Sequence, residues 1–384
     1  MIKPIILVVG ARPNFMKIAP IYAELQSRGQ ELILLHTGQH YDDNMSKVFF
    51  DDLGMPKPDI YMGIGSGSHA YQTGTVMIEF EKICQEKDPS MVVVVGDVNS
   101  TVACTIVCAK MGIPCAHVEA GLRSFDRDMP EEINRILTDS VADLLLTPSP
   151  DGDQHLRAEG IAEERIIRVG NVMIDSLYNN LARAESSSIQ DDLGLEDDYS
   201  ILTLHRPSNV DDEEIFSGII SALEVIGKEI QIVFPMHPRT EKMAKQFSLY
   251  ERIASISKIK ITGPVGYLDF VALMSKSKLV LTDSGGLQEE TTALGIPCIT
   301  LRENTERPIT VTEGTNTIVG CDPELIKSTA LDALTTGGKS GRIPDMWDGK
   351  TAHRIADVLI NYIQNNGNHI HLSDLQTSFS LHGI

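Results

Sequence analysis

A chain of 384 residues with 42% hydrophobic side chains holds material for two or three cored domains. Its formal charge of −20 disfavours nucleic acid and anionic membranes as partners, so a phosphate ligand must find its positive environment locally. Aromatics at 5%, with a single tryptophan, Trp347, argue against stacking platforms for carbohydrate polymers or single-stranded nucleic acid.

Ile5–Val9 is a short, β-branched, uniformly apolar run, as a buried parallel strand requires. It ends in Gly10-Ala11-Arg12-Pro13-Asn14-Phe15-Met16-Lys17, and a helix is predicted near Ile18–Arg28. The turn is not GxGxxG, so a dinucleotide fingerprint is absent. Arg12 and Lys17 stand where the strand gives way to the helix, a place where two cations suit an anionic ligand better than a core. A second strand, Leu32–His36, delivers Gln39-His40. Met91–Val95 ends in Gly96-Asp97, and Cys115–Val118 ends in Glu119. Pro130-Glu131-Glu132 opens another helix, and Leu144–Thr147 and Ile166–Val169 complete the first half. Strand alternating with helix predicts a parallel sheet covered on both faces. Ligands of such sheets bind beyond the C-terminal strand edge, where Arg12, Lys17, Gln39, His40, Asp97 and Glu119 all fall.

The acidic stretch Glu185–Asp198 has no strong period and reads as a solvated connection between domains. The alternation then resumes. Ser200–Leu204 ends in His205-Arg206, Ile230–Phe234 leads to His237 and Arg239, and Lys258–Ile261 precedes a helix over Tyr267–Ser275. Lys278–Leu281 runs into Thr282-Asp283-Ser284-Gly285-Gly286 and a helix that reaches Leu294. This strand, Ser-Gly-Gly turn and helix aim several backbone N–H groups at one point, and a helix N-terminus suits a phosphate. The glycines let the backbone approach its ligand with no Cβ between. One turn further on, Glu290 is placed to reach outward and accept hydrogen bonds from ribose hydroxyls. Cys298–Leu301 then leads to Arg302 and Arg307. The predicted architecture is α/β, two doubly wound Rossmann-like domains facing each other across a cleft. They comprise residues 1–172, joined by a last helix over 353–365, and residues 173–350, with a polar tail over 366–384.

Six cysteines (Cys84, Cys104, Cys108, Cys115, Cys298, Cys321) form no CxxC pair, and eleven histidines show no HExxH, so no metal is expected. Most of the cysteines lie in apolar runs, as free thiols of a reducing compartment do. Met1-Ile2-Lys3-Pro4 leads directly into a strand, and no apolar run reaches membrane-spanning length. The expectation is a cytoplasmic protein with no signal peptide and no membrane span.

The blocks GARPxxxK, QH, GD at Asp97, HVEAGLRS, MPEExNR, HR at His205, MHPRT, TDSGGLQEE and TERP follow one another in that order. Together they resemble the non-hydrolysing UDP-N-acetylglucosamine 2-epimerases over about Ile5 to Asn361. The resemblance implies the two-domain GT-B fold, a homodimer, no nicotinamide and no metal. It implies interconversion of UDP-GlcNAc and UDP-ManNAc, the latter destined for surface polysaccharide or glycan synthesis. Matched block by block, Lys17, Asp97, Glu119, Glu131 and His205 take catalytic positions. Arg12, Arg206, His237, Ser284, Gly285, Gly286, Glu290 and Arg307 take substrate-binding ones, and Gln39 and His40 fall in an allosteric region of some members. Two departures stand out: Pro207-Ser208 replaces a carboxylate often found beside the catalytic histidine, and Tyr41-Asp42-Asp43-Asn44 follows His40 in place of an arginine- and glutamine-bearing run.

Chemically, such a reaction needs carboxyl groups near both sugar faces, which Asp97, Glu119 and Glu131 supply in the general acid–base sense. It also needs cations and N–H groups at a leaving diphosphate, which Arg12, Lys17, His205 and the Ser284–Gly286 turn supply. Rival readings are a hydrolysing relative, a 2-epimerase of a related UDP-sugar, a glycosyltransferase using the same turn, and a UDP-sugar sensor without turnover.

Overall fold

The computed structural model describes residues 3–38, 54–195 and 198–365. Gln39, His40 and the segment 366–384 lie outside the described residues. The described chain divides into two compact units, one holding the residues up to Ser176 and those from Asp345 on, the other Leu177–Pro344.

In the first unit seven strands form one sheet: β1 (Ile5–Val9), β2 (Leu32–His36), β3 (Ile60–Tyr61), β4 (Met91–Val95), β5 (Cys115–Val118), β6 (Leu144–Thr147) and β7 (Ile166–Arg168). Their order is β3-β2-β1-β4-β5-β6-β7, and every pairing is parallel. Ile5 stands opposite both Leu32 and Met91, so β1 is central and the strand order reverses beside it. That reversal opens a crevice at the C-terminal strand ends, the ligand position of this architecture. Every residue of β1 and β4 is buried, which explains why these strands read as unbroken apolar runs. Ile6, Val8, Val92 and Val94 pack with Ala103, Cys104, Val107 and Cys108 of the helix Asn99–Met111 in the core.

The second unit repeats the plan. Its strands are β8 (Tyr199–Thr203), β9 (Gln231–Pro235), β10 (Ile259–Thr262), β11 (Leu279–Thr282), β12 (Cys298–Thr300) and β13 (Asn316–Ile318). They lie in the order β10-β9-β8-β11-β12-β13, again all parallel, with the reversal between β8 and β11. Leu202, Phe216, Ile220, Leu281 and Ile326 belong to its core. The six cysteines are free, with all but Cys321 buried.

Two sequence expectations are corrected. The first helix runs Arg12–Ser27, not from Ile18: Pro13 stands in its first turn, where the missing N–H costs nothing, and Asn14 Oδ1 takes the amides of Gly10 (3.2 Å) and Ala11 (2.9 Å). The stretch Glu185–Asp198 does not connect domains, because the unit boundary falls earlier, at Ser176. It holds a short helix, Ile189–Leu193, and is tied within the second unit by Ser187 Oγ to Asp269 (2.5 Å) and Gln190 Nε2 to Tyr199 Oη (2.9 Å). Local polarity gave no sign of those distant partners.

The helix Thr351–Gln364 belongs to the first unit. Asp175 accepts from the amides of Thr351 (3.1 Å) and Ala352 (2.6 Å) at its N-terminus. Arg28 pairs with Asp357, buried Arg354 donates to Val169 O (2.6 Å), and Trp347 Nε1 donates to Pro148 O (3.0 Å).

Candidate active site

Three strand ends of the first unit converge on one cluster. Lys17, one turn into the helix Arg12–Ser27, forms a buried ion pair with Glu119 at the end of β5. Gly96, at the end of β4, has φ +67, and a Cβ there would lie 3.1 Å from Lys17 Nζ and 3.5 Å from Glu119 Oε2. Glycine is thus favoured both by the backbone and by the tight approach of the pair above it. Glu119 itself has φ +72, a region that costs a side-chain-bearing residue about 1–3 kcal/mol and persists only where neighbours enforce it. Asn14 fastens this corner by donating to Val95 O at 3.1 Å.

Asp97 follows Gly96 and is half-buried, its Oδ2 2.5 Å from Arg135 Nη1. Arg135 also binds Glu132 Oε2 (2.7 Å), and Glu132 takes the amides of Ser124 (3.0 Å) and Phe125 (2.9 Å). Those partners hold the Glu132 carboxyl below its ordinary range despite burial. Of the neighbouring carboxylates in Pro130-Glu131-Glu132, then, Glu132 fixes the loop, while Glu131 is half-buried and makes no hydrogen bond to a described residue. The structure brings together Lys17, Glu119 and, one residue beyond Gly96, Asp97. Arg12 opens the same helix.

The second unit carries a separate cluster at the ends of β8 and β11. Asp283 is fully buried; its Oδ2 accepts three hydrogen bonds, from the amides of His205 (2.9 Å) and Arg206 (2.8 Å) and from Asn209 Nδ2 (3.2 Å), and its Oδ1 lies 2.7 Å from His205 Nδ1. Burial is the largest single influence and would raise the Asp283 carboxyl, but the His205 ring and those amides together outweigh it and keep it below the usual range. A carboxylate thus stands beside His205, and it comes from Asp283, 78 positions further along the chain. His237 lies 5.8 Å from His205, ring to ring. Its Nδ1 accepts from Arg239 N (3.1 Å), and burial, then the His205 charge, lowers its pKa.

Ser284 caps the helix Gly285–Leu294, whose first amides are presented as the sequence predicts. The two glycines differ in role. A Cβ at Gly285 would meet Arg307 Nη1 at 2.5 Å, whereas one at Gly286 would meet nothing within 4 Å. Arg307 is braced below the turn by Glu289 (2.9 Å) and Glu306 (3.4 Å), and Arg302 grips Glu306 at 2.8 and 3.0 Å. Glu290 is a correction: it is buried rather than reaching outward, and burial followed by Glu289 raises its pKa to about 8. Asn14, Arg135, Asp283 and Asn209 were not singled out in the sequence, because each acts on a partner distant along the chain.

Among the described residues no group of three or more histidine, cysteine, aspartate and glutamate side chains could hold a metal ion, and no helix is long and apolar enough to cross a membrane.

Two doubly wound units, each built on one parallel sheet, are the architecture of the GT-B type. Residues 23–360 match the sequence model of the UDP-N-acetylglucosamine 2-epimerase family. The UDP-N-acetylglucosamine 2-epimerase of Methanocaldococcus jannaschii is 44% identical over 362 residues, 92% of this chain and 98% of the relative. The UDP-2,3-diacetamido-2,3-dideoxy-D-glucuronate 2-epimerase of Pseudomonas aeruginosa is 39% identical over 360 residues, 92% of this chain and 99% of the relative. The crystal structure of the M. jannaschii UDP-GlcNAc 2-epimerase in complex with UDP-GlcNAc and UDP matches with a TM-score of 0.86 at 42% identity, covering 93% of this chain and 99% of that one. The chain belongs to the UDP-N-acetylglucosamine 2-epimerase family and is an isomerase.

Proposed function

We propose that the protein interconverts UDP-GlcNAc and UDP-ManNAc by eliminating UDP and adding it back. The observation that carries this reading is the buried Lys17–Glu119 pair beside Asp97, acid–base groups held at adjacent strand ends. In UDP-GlcNAc the C2 hydrogen and the UDP oxygen are both axial and antiperiplanar. A carboxylate removes the C2 proton, the C–H electron pair becomes the C1–C2 double bond, and the C1–O pair leaves with UDP. The product is 2-acetamidoglucal. Return of a proton to the opposite face of C2, with the UDP oxygen rebonding to C1, gives the manno epimer. Asp97, Glu119 and Glu131 are the acid–base groups in this proposal, and Lys17, Arg12 and His205 offset the charge that builds on the diphosphate.

The Ser284–Gly286 turn receives the diphosphate, with Arg206, His237 and Arg307 as further groups of the nucleotide half. Glu290, protonated below its pKa of about 8, both donates and accepts and so suits a ribose diol. Gly286→Val is expected to raise the Kd for UDP about tenfold or more, equivalent to roughly 1.4 kcal/mol, with the fold kept because a Cβ at this position meets no heavy atom within 4 Å. Titration of the folded variant by calorimetry measures this, and an unchanged Kd removes the turn from the site.

The 39% identity to the P. aeruginosa enzyme favours one second reading, a 2-epimerase of a diacetamido uronic acid sugar. Incubation with each UDP-sugar in D₂O, followed by NMR, tests both. Deuterium at C2 of a UDP-linked manno product is the expected result with UDP-GlcNAc. Conversion of only the diacetamido glucuronate selects the second reading, free ManNAc with UDP indicates hydrolysis, and unlabelled epimer after full conversion rejects exchange through a carboxyl group.

A further inference from the structure

Glu119 occupies its left-handed backbone between two residues that a single carboxylate holds. Asp139, in the helix Pro130–Val141, has Oδ1 2.7 Å from His117 Nδ1 and Oδ2 3.1 Å from Gly121 N, so it grips the chain two residues before and two residues after Glu119. His117 and Asp139 are both wholly buried. The second ring nitrogen of His117 is 2.8 Å from Gly96 O, and Gly96 lies under the Lys17–Glu119 pair. Both ring nitrogens of His117 therefore face oxygen atoms, one on Asp139 and one on Gly96. Arg123 Nη1 adds a third contact to Asp139 at 2.7 Å and itself binds Glu159 at 2.7 Å through two nitrogens. Arg123 thus joins Asp139 to Glu159 in a region where only the Glu159 end meets solvent.

A packed core has no need of such groups, since burying ions costs more than a well-fitted apolar replacement. Their placement around a strained residue supplies the reason. We propose that Asp139, with His117, is a positioning residue for the epimerisation: it enforces the backbone that aims the Glu119 carboxyl at its reacting proton. This rests on the reading of Glu119 as an acid–base group. Asp139 touches no substrate, and acts only through Glu119.

The test is a double-mutant cycle in the full chain, with UDP-GlcNAc turnover and UDP affinity as readouts. Asp139→Asn is expected to lower kcat about tenfold or more, with KM within about twofold and UDP affinity unchanged. In a Glu119→Gln background the same substitution is expected to change the residual kcat by less than about twofold, because no acid–base carboxyl is left to position. A general structural role would instead give equal proportional losses in both backgrounds, and that result overturns the proposal. So does an Asp139→Asn kcat within about twofold of the parent. His117→Gln, whose amide keeps a donor for Gly96 O, is the second variant should Asp139→Asn not fold, and the same background dependence is expected. Turnover by the unmodified protein is the control. Its absence fails the substrate reading, whereas turnover with an additive Asp139 effect fails the positioning alone.

Discussion

Glu119→Gln is expected to lower turnover by about 10²-fold or more while leaving UDP affinity intact, the usual scale for a lost acid–base group. The amide keeps the volume and one hydrogen-bond acceptor for Lys17 but can neither take nor return the C2 proton. Because Glu119 and Lys17 are both buried, the substitution also leaves the ammonium without its counter-charge, so part of the loss comes from misplacing Lys17. Lys17→Met separates the two contributions: it removes the cation and keeps the carboxyl. Asp97→Asn and Glu131→Gln are expected to fall in the same range. Steady-state turnover with calorimetric UDP binding measures each, and Glu119→Gln turning over within about threefold of the parent removes Glu119 from the chemistry.

The parts of this site that were legible in the sequence are those announced by a strand end. Lys17, Asp97 and Glu119 in the first unit, and His205 and the Ser-Gly-Gly turn in the second, each follow an apolar run that forms a buried strand, and each sheet then gathers its own strand ends by its topology. What stayed hidden was the support beneath them. Asp283 serves His205 from across the sheet, Asp139 reaches both sides of Glu119 from the next helix, and Arg135 reaches Asp97 over 38 positions. Such pairings depend on register between elements, and neither periodicity nor turn chemistry encodes register. The misplaced start of the first helix has another cause: Pro13 stands in the first turn, where proline is a helix residue.

Asp283→Ala is expected to destabilise the protein by about 3–5 kcal/mol, a large share of the stability of a typical domain. It strips the partner from two backbone amides, from Asn209 and from the His205 ring at once, in a place water does not reach. The effect carries a pH signature. The folded carboxyl is held below its ordinary value of 3.8, so its contribution is fully present above that value and is lost as pH falls through the lower folded one. Urea unfolding of parent and variant should therefore differ by a constant amount near neutrality, with the gap narrowing below about pH 4. A gap that instead widens as pH falls from about 7 to about 3 would show that Asp283 acts in the neutral form.

The first unit is not continuous along the chain. Its sheet is complete by Arg168, yet Asp175 and Arg28 meet their partners only at Thr351, Ala352 and Asp357. Leu177–Pro344, by contrast, holds all its own strands in one stretch. During synthesis the part begun later is thus the first able to finish. On the ribosome the emerging first sheet must wait some 180 residues for its closing helix, with Asp175 buried in no completed setting. A nascent chain of this design passes through a stage in which the second unit has all its residues and the first still lacks its closing helix, an interval in which apolar surface of the first unit stays exposed.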